Sequence, residues 1–281
     1  MSWFESYAIQ QSLLLAIPLI ISLTNSISKT VMRCLAKFEK SQSKAEEVYT
    51  STRNMMLISF INTGLVILII NFDFTLPDWL SWFPIFNGNY TKFSVGWYKT
   101  VGATLAVTML FFIVTPHISN CMFQALGGFN RCCDRGCRCD SKRTRKLTQT
   151  EYENINMGNE FLMEFRYSNI LTVVIITMMY SPGLPLLYPI ACAFFMVTYY
   201  VDKCMLLKMY RKPVLFDNTL ALSILFWFNM AMVLHSLMGI FMLSNTSILP
   251  TSSKQLIDYE VILGETETTI IVSWSDLFSY Q

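Results

Sequence analysis

Six apolar stretches constrain this chain more than any other feature. A helix crosses a bilayer with about 20 mostly apolar residues. Runs of that character fall at about 11–31, 54–72, 101–119, 168–182, 184–202 and 219–243. The fourth and fifth are joined by Ser181-Pro182-Gly183-Leu184-Pro185, where Pro and Gly stop one helix and start the next. The expected fold is all-α: a polytopic bundle of about six transmembrane helices over residues 1–245, followed by a polar tail over 246–281.

The basic residues set the expected orientation. Of 21 Lys and Arg, all but Lys92, Lys99 and Lys254 lie in the gaps after the first, third and fifth stretches, with Lys29, at the inner end of the first stretch, counted with the gap it leads into. Cytoplasmic loops carry such an excess, so these gaps read as cytosolic, with the N-terminus and the tail outside. The loop over 120–167, rich in Cys and basic residues, is the longest of them. The opening MSWFESYAIQQ has Glu5 but no Lys or Arg, so the basic region of a cleavable signal peptide is missing.

Composition excludes a soluble domain of ordinary type. Charged residues make up 14% of the chain and mean hydropathy is +0.42, whereas soluble domains carry about 25% charged residues. The net charge of +2 gives no reason to expect a nucleic-acid partner. Enzyme signatures are absent: His117 and His235 sit at or inside apolar stretches, and no P-loop, dinucleotide or nucleophile-elbow pattern occurs. No cofactor is expected.

Polar side chains inside a bilayer are costly and often mark a pathway. The pore-lining candidates are Thr24, Asn25, Asn62, Thr63, Gly64, Gly102, Thr104, Thr108, Thr172, Thr177 and Tyr180. Helix-to-helix adhesion is the competing reading for Ser, Thr, Asn and Gly. Asn62 stands out because Gly64, two residues on, permits a bend. No membrane-embedded Asp, Glu, Lys or Arg is expected in mid-helix, which argues against a proton relay. Asp202 is expected to pair with its neighbour Lys203 at the interface.

Two kinds of modification are legible. Asn89-Tyr90-Thr91 and Asn245-Thr246-Ser247 are glycosylation sequons on the side read as external, making Asn89 and Asn245 acceptors. Cys132, Cys133, Cys137 and Cys139 are candidates for zinc or palmitoylation. The lack of paired C-x-x-C spacing favours the lipid over zinc, and unmodified thiols in a solvated basic loop are the commonest alternative.

Several segments together resemble one superfamily. In Lys37–Asn62, Phe38-Glu39 precedes a polar run and then a helix containing Phe60-Ile61-Asn62. In Glu164–Pro213, Tyr167, Tyr180-Ser181, Pro185 and Tyr199-Tyr200 with Asp202-Lys203 recur in order. These resemble the anoctamin/OSCA/TMC superfamily, closest to helices four to nine of OSCA-type channels, over about residues 10–245. The family's first helices and large cytosolic domain have no counterpart here, so the resemblance implies the C-terminal pore half of a longer channel. The anoctamin calcium site is also missing its acidic set.

The resemblance implies the pore module of a mechanosensitive or osmosensitive, calcium-permeable cation channel in the plasma membrane or an endomembrane. Its expected partners are lipid, cations and a second copy or a missing N-terminal half. The alternatives are an anoctamin-type phospholipid scramblase and a non-conducting subunit of a larger assembly.

Overall fold

The computed structural model describes residues 3–73, 88–137, 144–211 and 218–244. Among these the fold is all-helical. Four helical runs are long and apolar enough to cross a membrane: Lys44–Asn71, Val95–Asp134, Leu187–Lys208 and Ile224–Leu243.

Helix α1 (Trp3–Glu39) takes in the first apolar stretch and continues well beyond it. It ends where Lys40 adopts a left-handed φ of 52°. Helix α2 (Lys44–Phe60) then starts at Ser43, whose side chain accepts the Glu46 backbone N–H. Glu46 and Glu47 lie in its first turn, where acidic groups favour the helix dipole. The run continues through a π turn (Ile61–Leu65) into α3 (Val66–Asn71). Beyond it a bridge pairs Phe72 with Tyr90.

Helix α4 (Val95–Trp97), a second π turn (Tyr98–Gly102) and α5 (Ala103–Asp134) form one run of 40 residues. At 1.5 Å per residue it is about 60 Å long, twice the bilayer's hydrocarbon thickness of about 30 Å. The first part of the expected cytosolic loop over 120–167, as far as Asp134, is helical. Residues 120–130 carry no charge that would force the chain into water, and nothing stronger than Gly127-Gly128 to break the helix. Gly136 and Cys137, both at positive φ, provide the real stop. Helix α6 (Gln149–Asn156), capped by Thr148, also lies within the expected loop.

Helices α7 (Met163–Tyr180), α8 (Leu187–Lys208) and α9 (Asn218–Leu243) complete the bundle. Helix α7 is the central post. It packs on α2, α8 and α9, while α1 lies against α2 and α5, and α5 against α8. Its buried face includes Leu171, Val173, Ile175, Ile176, Met179 and Tyr180. One core cluster joins Trp97, Leu105, Met109, Ile176, Tyr180 and Phe194. A second joins Val48, Met56, Leu171, Ile175, Ile224 and Ala231.

The outer surface is apolar. Leu19, Ile20, Leu23 and Ile27 of α1 and Leu222, Phe226, Met232, Ile240 and Phe241 of α9 are all exposed. Contiguous apolar surface of this extent needs an apolar surround.

The two ends of the bundle differ. At one end, Arg33 of α1 pairs with Glu164 of α7 at 3.0 Å, Arg166 of α7 with Asp202 of α8 at 3.1 Å, and Arg211 with Glu160. At the other end, Phe93, Trp97, Tyr98 and Tyr180 pack edge-to-face or stacked. They adjoin the Pro-Gly hairpin, where Tyr98 and Met242 crowd Gly183. The expected Asp202–Lys203 pair is corrected by this geometry. Neighbours on a helix point about 100° apart, so Asp202 faces α7, while Lys203 lies over the Tyr199 ring at 5.5 Å.

Candidate functional site

Between α1, α5 and the start of α7 lies a groove of about 650 Å³. The polar wall comes from one helix. Ser22, Asn25, Ser26, Lys29, Thr30, Arg33 and Lys37 recur every three or four residues on α1 and share a face. Helix α5 gives Phe112, Thr115, Pro116, Asn120, Met122 and Leu126. The start of α7 and the segment before it give Glu160, Leu162, Phe165, Arg166 and Asn169. The Thr115 hydroxyl donates to the Phe111 carbonyl one turn back at 2.7 Å.

Asn25 joins the groove to a buried polar node. Its Nδ2 donates to Thr63 Oγ1 at 2.7 Å, and Asn62 Nδ2 donates to Asn25 Oδ1 at 2.8 Å. Asn62, Thr63 and Gly64 all belong to the first π turn. A π turn shifts the backbone register and frees a carbonyl, and such turns are frequent at functional sites. Here the Tyr180 hydroxyl donates to the Gly64 carbonyl at 2.8 Å. Gly64 has little room to change, since a Cβ there would lie 3.2 Å from the Phe60 ring. Gly102 falls in the second π turn, against Leu184.

Five of the expected pore-lining residues thus meet: Asn25, Asn62, Thr63, Gly64 and Tyr180. Of these only Asn25 touches the groove. Thr24 is exposed on the outer face and bonds the Ile20 carbonyl. Thr104, Thr108 and Thr172 bond carbonyls one turn back in their own helices. Thr177 is buried in α7 away from the groove. In the water-poor interior a Thr hydroxyl takes the nearest carbonyl, four residues back, which spends it locally.

The groove's strongest groups were not among the sequence candidates. Lys29, assigned there to a cytosolic gap, is 6% exposed within the bundle and donates to Asn169 Oδ1. Its Nζ sits 5.6 Å from the centre of the Phe112 ring. Arg166 lies over Phe161 at 3.7 Å, with Tyr210 at 5.1 Å. The signal was present: positions 22, 25, 29, 33 and 37 form a polar stripe at helical spacing. Charge counting by loop conceals it, because it groups Lys29 with residues it does not face.

The remaining candidates fall elsewhere. Asn89 is exposed, and Asn245 lies outside the described residues. Cys132, Cys133 and Cys137 are exposed, while Cys139 lies outside the described residues. Among the described residues no group of His, Cys, Asp and Glu is arranged to hold a metal. His235 Nδ1 bonds the Met178 carbonyl at 2.8 Å, and His117 Nε2 lies 3.4 Å from Thr198 Oγ1. Both histidines thus join one helix to another.

No known protein family, curated protein or solved structure matches this chain.

Proposed function

We propose that this chain is the pore-bearing helical module of a membrane channel opened by tension or osmotic stress. The observation that carries the reading is the pairing of a 650 Å³ groove, basic along its α1 wall, with the hydrogen-bonded Asn25–Asn62–Thr63 node beside it. Buried polar networks on membrane-length helices are expensive to keep without a use. In this reading six helices cross the bilayer, the basic end faces the cytosol, and the two π turns are the bend points. A state of larger in-plane area would be favoured by tension, and a π turn relaxing to α would rotate Asn62 away from Asn25. Cations, calcium among them, are the permeant ions that the sequence resemblance implies. The three bases on the α1 wall argue for weak cation preference.

The test is current through excised patches containing the purified full chain. Asn62→Ala is expected to shift the tension threshold or abolish opening. Wild-type patches that stay silent under lytic tension would remove the reading.

A second reading, lipid scrambling, is favoured by the mixed character of the groove, with bases on one wall and Phe112, Met122, Leu126 and Phe165 on the other. Flip of dye-labelled lipid in liposomes without tension-dependent current would select it.

A further inference from the structure

Lysines that stay buried in proteins are paired or have a local purpose. Lys29 is buried and its partners are neutral: the Asn169 side-chain oxygen and the face of Phe112. Among the described residues no carboxylate lies within ion-pair distance of it. Its neighbours on the stripe differ. Arg33 is held by Glu164, whereas Lys37, two turns further on, is exposed at the mouth of the groove. An ammonium has three N–H donors. Asn169 takes one, and Lys29 lines the groove with the others. Removing an ammonium from water with no counter-charge is costly, and a negative group in the groove would remove that cost.

The walls restrict what that group belongs to. Phe112, Met122, Leu126, Leu162 and Phe165 give the groove a long apolar side beside the basic one. A bare ion would leave that side wetted. An amphiphile, with one anionic end and one hydrocarbon end, complements both. Basic pockets between transmembrane helices on the cytoplasmic side hold anionic lipid headgroups by the same chemistry.

We propose that the groove is a seat for an anionic phospholipid. Its phosphate accepts hydrogen bonds from Lys29, its outer headgroup lies near Lys37, and its acyl chains run along Phe112 and Phe165. This assignment rests on the membrane placement proposed above but not on conduction. Extraction of the chain from membranes by alkaline carbonate would defeat the placement, and silent patches with lipid retained would defeat conduction alone.

The experiment is native mass spectrometry of the purified full chain with phosphatidylcholine, phosphatidic acid or phosphatidylinositol 4-phosphate, with inorganic phosphate as a separate arm. Retention of the two anionic lipids over phosphatidylcholine is expected. Lys29→Gln is expected to weaken it about tenfold and Lys29→Arg to restore it, as for one lost charge-assisted bond. Lys37→Gln alters an exposed side chain and leaves the packing intact. It is expected to weaken retention about fivefold, the value of one lysine near an anionic surface. Equal retention by all three lipids, or no effect of Lys29→Gln and Lys37→Gln, overturns the assignment. Binding of inorganic phosphate at Lys29 with no lipid preference also overturns it, because the seat then serves a soluble anion.

Discussion

Tyr180→Phe isolates one hydrogen bond on which the first π turn depends. The Tyr180 side chain is fully buried, and its hydroxyl reaches the Gly64 carbonyl at 2.8 Å from a different helix. Phe retains the ring and hence the stacking on Trp97, whose centroid lies 6.4 Å away. The substitution therefore removes one donor and little else. Hydrogen bonds between membrane helices average about 0.6 kcal/mol and reach about 1.7 kcal/mol. An acceptor left unpaired in a dry interior costs about 1–3 kcal/mol. Gly64 is buried and no water replaces the lost hydroxyl, so the loss should lie toward the upper part of the first range, about 1–1.7 kcal/mol. Unfolding in mixed micelles with increasing dodecyl sulfate, followed by circular dichroism, measures it. Tyr199→Phe, on a residue 60% exposed on α8, is the control and should change nothing measurable. A Tyr180→Phe midpoint equal to that of the control would refute the claim that this bond holds the π turn.

Two further outcomes follow from the same reasoning. Arg166 and Asp202 are a largely buried pair, with side chains 10% and 18% exposed, so Asp202→Asn should destabilise by about 3 kcal/mol in the same assay, since it leaves a buried guanidinium uncompensated. The double change Arg166→Met with Asp202→Leu should recover most of that loss, and a double variant as unstable as the single one would contradict the account. Asn89 is exposed, so in a glycosylating host the chain should lose mass on amidase treatment, and Asn89→Gln should remove that shift.

What could be read from the sequence was whatever depends on local composition. The six apolar stretches all fall in helices, because a run of some twenty apolar residues with few breakers satisfies its own backbone hydrogen bonds whatever surrounds it. The hairpin over 181–185 was legible for the same reason: Pro and Gly act on their own backbone. Helix ends were harder. Residues 120–134 read as loop because polarity rises there, yet nothing stops the helix before Gly136.

The site was only partly legible. Asn25, Asn62 and Thr63 were found because polar atoms in an apolar run are conspicuous singly. Their bonding to one another, and the donation from Tyr180 to Gly64, required α1, α2 and α7 to be brought side by side. Lys29 shows the division best. By itself the sequence determined that a lysine stands at helical spacing from Asn25 and Arg33. Only the tertiary structure decided that this face of α1 turns inward onto Phe112 and Asn169, while the apolar face of Leu19, Leu23 and Ile27 turns outward. Helical propensity is a property of consecutive residues, whereas the direction a face points is set by which other helices cover it.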